Sequence, residues 1–130
     1  MSEEKLVDAR GLDAALTLFT RTFVIEDKRK QMHDRLRTRE RRAETLVALP
    51  RWLAGRSEPL AGKDKSPAGL AARLGPLVGV YLDEAGARRI PIARTLELAR
   101  GSKPALWIGD SGRVALVMQA DGPPLLLSSL

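Results

Sequence analysis

Several short segments carry residue types that could do chemistry. Gly109-Asp110-Ser111-Gly112 presents a serine in a tight tetrapeptide, as a nucleophile would need. Such a serine must also have a histidine to take its proton and a carboxylate to orient that histidine. The single histidine, His33, lies far earlier, in a highly charged stretch, and Asp110-Ser111-Gly112 has the composition of a hairpin turn. Gly62-Lys63-Asp64 ends like a phosphate-binding loop. The full pattern fails at Ser57, where the first glycine belongs, and at Asp64, which replaces the hydroxyl that would meet magnesium. His33 has no cysteine or second histidine with which to hold zinc. Asp83 and Glu84 are adjacent, so strand alternation points them apart, whereas paired acid–base work needs carboxylates converging on one atom. We therefore expect no enzymatic activity, no metal, no cofactor and no small-molecule substrate.

The remaining chemistry is cationic. Between Lys28 and Arg42 stand eight Lys/Arg residues against Asp34 and Glu40, while the rest of the chain is balanced, so the net charge of +6 is local. On a helix, residues three or four apart are neighbours. By that rule Lys30 reaches Glu26 and Asp34, Arg37 reaches Asp34 and Glu40, Arg41 reaches Glu44, and Arg29 reaches Glu26. Lys28, Arg35, Arg39 and Arg42 have no carboxylate at these spacings. They form a row about 21 Å long at ~1.5 Å per residue, beside an apolar seam that includes Met32 and Leu36. These six residues are the predicted partner-binding site.

The elements that position this row follow from periodicity. Leu12, Leu16, Phe19 and Phe23 form the stripe of an amphipathic helix. Met32, Leu36, Ala43 and Leu46 form a second stripe, with Arg39 between. At ~100° per residue the two stripes lie roughly 150° apart, so the chain should break within Val24-Ile25-Glu26-Asp27. Two helices are expected, over 12–23 and 27–49, the second closed by Pro50; one long helical arm packed on opposite sides is the alternative. Residues 1–54 thus form a helical region. Residues 55–69, rich in Gly, Pro and Ser, form a connector. From 70 to 130 the pattern gives a short helix capped by Ser66-Pro67, then period-two segments separated by turns at Asp83–Gly86, Asp110–Gly112 and Asp121–Pro124. A single compact α+β domain is expected, with a small antiparallel sheet or partial barrel of four or five strands.

Composition narrows the partner. At 130 residues with 44% apolar content the chain can bury a core, and without cysteine it needs no oxidising compartment. Its polar, acidic start lacks the features of a secretory signal, and no apolar run is long enough to span a bilayer. A cytoplasmic location follows, and the excess of Arg over Lys suits a GC-rich bacterial genome. A membrane surface is disfavoured because the apolar stripe is thin and lacks Trp or Phe beside the cations. The expected function is a bacterial protein-binding module, whether adaptor, regulator, toxin-neutralising factor or complex subunit. Its basic helix would dock an acidic protein or a second copy of the chain. The alternative is RNA or DNA binding through the same cations on phosphates. Protein is preferred because Trp52, Trp107 and Tyr81 lie outside the cationic row in sequence, leaving no interleaved stacking platform.

Overall fold

The computed structural model describes residues 4–61, 65–74, 77–101 and 103–129. The helical region begins with α1, Ala9–Phe23, capped by Asp8, whose carboxylate accepts from the Gly11 N–H at 2.8 Å. The predicted stripe of Leu12, Leu16, Phe19 and Phe23 is buried, and the Phe19 and Phe23 rings lie 5.8 Å apart. Val24 and Ile25 are extended, so the chain breaks where the two stripes fall out of register. A 3₁₀ turn over Glu26–Lys28 then leads into α2, Arg29–Arg37.

The expected helix 27–49 is two helices. Thr38 is extended at φ −82° and ψ 120°, and α3 runs Arg39–Trp52. Two interactions make this break. The Thr38 hydroxyl donates to the Asp34 carbonyl at 2.7 Å, and the Arg42 side chain reaches back to the carbonyls of Leu36 at 2.8 Å and Arg37 at 3.0 Å. These last carbonyls of α2 have no partner within their own helix, so Arg42 caps it. Nor does Pro50 close α3. It sits inside the last turn, where its missing N–H forfeits one bond while Leu53 N–H still reaches the Leu49 carbonyl at 3.0 Å.

The expected α+β arrangement, amino-terminal helices followed by an antiparallel sheet, is present. Five strands, β3 (Val78–Asp83), β4 (Gly86–Pro91), β5 (Ala105–Gly109), β6 (Val114–Met118) and β7 (Leu125–Ser128), form its body. Two further strands, β1 (Lys5–Leu6) and β2 (Glu58–Pro59), pair with β4 and β7. The sheet is therefore seven-stranded rather than four- or five-stranded, and it is open, with order β1-β4-β3-β5-β6-β7-β2. Two-residue strands leave no period-two signature, and β2 comes from the segment read as a connector. The hairpin turns use the expected residues: Gly86 has φ 144° and Gly112 φ 73°, a region open to glycine.

Both faces of the sheet are covered, which is why β5 and β6 are buried at every position rather than alternately. Val80, Leu82, Leu106, Ile108, Val117 and Leu127 pack beneath α1–α3. Tyr81, Ile90, Trp107, Leu116 and Leu126 face the other way. They meet α4 (Pro67–Leu74) through Leu70 and α5 (Ile92–Ala99) through Ile92 and Leu96. Trp107 is fully buried and donates its indole N–H to the Ile90 carbonyl at 3.2 Å. Gly79 has to be glycine there, because a Cβ would lie 2.2 Å from the Ile108 carbonyl oxygen. Ser66 caps α4 as expected, accepting from Gly69 N–H at 3.0 Å. The glycine stop expected at Gly75-Pro76 and the Gly62-Lys63-Asp64 segment lie outside the described residues.

At the β1 edge an ion cluster fastens the amino-terminal segment. The Glu4 carboxylate accepts from Arg88 at 2.6 Å and from Arg94, and the Arg88 guanidinium also lies 5.3 Å from the Tyr81 ring centroid. The hydrogen bond from Arg94 and the charge of Arg88 hold the Glu4 carboxyl below the usual carboxylate range, against the opposing effect of desolvation. Burial of Tyr81 raises its phenol pKa, and Asp83 adds to that rise.

Candidate functional site

The six residues predicted to bind a partner do not share one surface. Met32 is 1% exposed and Leu36 is fully buried; both belong to the core between α1–α3 and the sheet, so the apolar seam is interior rather than a docking strip. Its depth follows from the sheet beneath it, which no helical periodicity announces. Arg42, at 5% exposure, is buried in its capping role and is withdrawn from the surface. Burial lowers its pKa, an effect the Asp83 carboxylate partly offsets. Lys28 and Arg39 are exposed and Arg35 is partly so, but the break at Thr38 separates Arg39 from the other two. The continuous cationic row is thus shortened to Lys28, at the end of the 3₁₀ turn, and Arg35 on the α2 that follows it, with Arg39 beyond the break.

The local neutralisation read from helical spacing is also sparse. Among the described residues, Arg37 approaches Asp34 at 4.0 Å, while Lys30 and Arg41 form no ion pair. Arg29 turns instead to the Val24 carbonyl, at 2.9 Å. Lys28, Arg35 and Arg39 likewise have no carboxylate within 4.0 Å among the described residues. His33 is tied to α1, with Nε2 3.1 Å from the Asp13 carboxylate, and the Ser111 hydroxyl accepts from Arg113 N–H at 3.2 Å.

What the sequence missed is a cleft. The turn at Thr38 returns the end of α3 to α2, so that the Arg35 guanidinium lies 5.7 Å from the Trp52 ring centroid. Trp52 stands ten residues past Arg42 in sequence and shares no helical repeat with the row, so spacing alone could not place it there. Together with the α1–α2 connection these elements enclose about 430 Å³. Phe23, Met32 and Leu53 line its apolar floor, Ile25 and Trp52 form exposed apolar walls, and Lys28, Arg35 and Arg56 stand around it. Ile25 is 58% and Trp52 44% exposed, and what sets them apart from the other exposed apolar side chains is that both line this one cleft. Arg56 is fixed by donating to the Phe23 carbonyl at 2.8 Å. The signal available in the sequence was Trp52 itself, a rare large side chain two residues past Pro50.

The arrangement offers an apolar receptacle with cations at its mouth and, among the described residues, no carboxylate in its lining. No three His, Asp or Glu side chains among the described residues are grouped to hold a metal ion, and no helix there is long and apolar enough to cross a membrane. No protein-family model matches the chain, and neither a curated protein nor a solved structure matches it significantly.

Proposed function

We propose that the chain is a non-enzymatic protein-binding module, an adaptor, regulator, toxin-neutralising factor or complex subunit, that docks an acidic partner on this cleft. The observation that carries the reading is the pairing of an apolar floor with Lys28 and Arg35, cations left without carboxylates among the described residues. Exposed pairs on one's own surface contribute only ~0–1 kcal/mol each, so stability alone gives little reason to keep such cations together. Trp and Arg are the residue types that most often dominate the energetics of an interface, and here they lie against each other at the cleft mouth. Charge then steers and orients the partner while the apolar walls provide burial.

The test combines charge reversal with zero-length crosslinking. Lys28 can be coupled by a carbodiimide to a carboxylate that touches it, so crosslinked peptides should join Lys28 to Asp or Glu of the captured protein. The triple variant Lys28→Glu, Arg35→Glu, Arg39→Glu should lose capture while keeping the wild-type melting temperature within a few degrees. Retention of the same partner by that variant refutes the reading.

One observation favours a second reading. Trp52 beside Arg35 supplies the stacking ring that the sequence order withheld from the cationic row, and base stacking on such rings is sequence-tolerant. A nucleic-acid interface then predicts a shift of labelled RNA or duplex DNA at about 50 mM salt that vanishes by a few hundred millimolar. Absence of a shift at low salt removes it.

A further inference from the structure

We infer that the cleft takes a helix, and that this helix carries two acidic residues about one heptad apart with an apolar residue between them. The inference rests on the acidic-partner reading above and specifies its occupant. It follows from what the cleft walls lack. An extended peptide gains affinity by pairing its backbone with an exposed strand edge, whereas these walls are helices and a tight connection in which four backbone carbonyls are already engaged. The Phe23 carbonyl accepts from Arg56 at 2.8 Å, the Val24 carbonyl from Arg29 at 2.9 Å, the Ile25 carbonyl from Lys28 N–H at 2.9 Å, and the Leu53 carbonyl from Arg56 N–H at 2.9 Å. An extended segment lying there would bury its own N–H and C=O groups without partners, which is costly. A helix satisfies its backbone internally and presents only side chains.

The cations set the spacing. Lys28 and Arg35 are seven residues apart, about 10.5 Å at ~1.5 Å per residue, so they bracket two helical turns with Met32 between them. A helix laid along α2 meets both with carboxylates at i and i+7 and sends an apolar side chain at i+3 or i+4 between Ile25 and Trp52. The same charges select against basic helices, which would face both cations without compensation.

The experiment is selection of displayed random peptides of about sixteen residues, some four turns at ~3.6 residues per turn, on the immobilised full chain. Counter-selection uses the double variant Ile25→Asp, Trp52→Ala, with thermal melts showing that it remains folded; should it not fold, the single variant Arg35→Glu serves instead. The expected winners are net acidic and carry the i, i+3 or i+4, i+7 pattern. As synthetic peptides they should weaken about a hundredfold when a central residue is replaced by proline. Arg35→Glu should abolish binding, and a peptide with one Glu changed to Arg should restore it. Acidic winners that alternate, or that tolerate the proline, overturn the helical occupant while leaving the acidic-partner reading standing. Neutral or basic winners, or none enriched over the counter-selection, overturn both.

Discussion

Replacing Arg42 by methionine keeps most of the buried stem and removes every donor, which isolates the capping role assigned to this side chain. Its guanidinium donates to the carbonyls of Leu36 at 2.8 Å and Arg37 at 3.0 Å across the break at Thr38. A hydrogen bond from a charged donor contributes about 1.5–3 kcal/mol, and a carbonyl left buried without a partner costs a comparable amount. Against this stands the desolvation of the guanidinium itself, visible as its lowered pKa, and water can reach the freed helix end. The net expectation is a loss of about 2–4 kcal/mol, within the range reserved for broken buried networks. For a chain of this length that corresponds to a fall in melting temperature of about 6–15 °C. Arg39→Met, three residues earlier and exposed, should change stability by about 0.5 kcal/mol or less. The assay is paired thermal and urea unfolding of the two variants, with hydrogen exchange of the last turn of α2 as the local readout. Arg42→Lys should recover only part of the loss, because one ammonium cannot reproduce the planar fork that serves two carbonyls. Equal melting temperatures for Arg42→Met and Arg39→Met would refute the capping assignment and return Arg42 to the surface row.

Three further outcomes follow from other parts of the fold. Leu36→Ala, at a fully buried position, should cost about 2–5 kcal/mol in urea unfolding, and any loss of partner binding should track the unfolded fraction rather than the charge of the cleft. Glu4, with its carboxyl pKa held down by Arg94 and Arg88, stabilises the fold above the unfolded carboxylate pKa of about 4.3, and that contribution disappears as pH falls through the lower folded value. Glu4→Gln should therefore lower stability at neutral pH and flatten its decline between about pH 5 and pH 2; an unchanged acid profile counts against the clasp. Trp52 is 44% exposed and Trp107 fully buried, so acrylamide should quench one component of the fluorescence, and Trp52→Phe should remove that component; persistent quenching would mean that Trp107 is reached by solvent.

The parts of this architecture that were legible in advance share one property: their cause is local. The Leu12–Phe23 stripe, the break at Val24-Ile25, the Ser66-Pro67 start of α4 and the glycine turns all depend on residues within a few positions of one another, and all are present. The break at Thr38 contains neither glycine nor proline. It is fixed by a side chain reaching back from Arg42, and spacing rules assigned that arginine to the exterior. Helical spacing puts Met32 and Leu36 in one apolar seam, yet its neighbour is a sheet encoded some fifty residues later, so the seam is interior. The cleft failed to show for the same reason. Lys28 and Arg35 are identifiable from charge, but Trp52 and Arg56 join them and Ile25 only after α3 turns back.

Both rims of the sheet are sealed by strands that are translated long before the strands they cover. Lys5 pairs with Arg89, and Glu58 with Leu126. During synthesis the nascent polypeptide must carry each short rim strand idle until its distant mate emerges, and loop closure over such separations is slow. In that interval it is the short rim strands, Lys5–Leu6 and Glu58–Pro59, that wait with their backbone groups unpaired. The sheet is therefore completed at its two rims by pairings that close only when the carboxyl-terminal partner of each has been made.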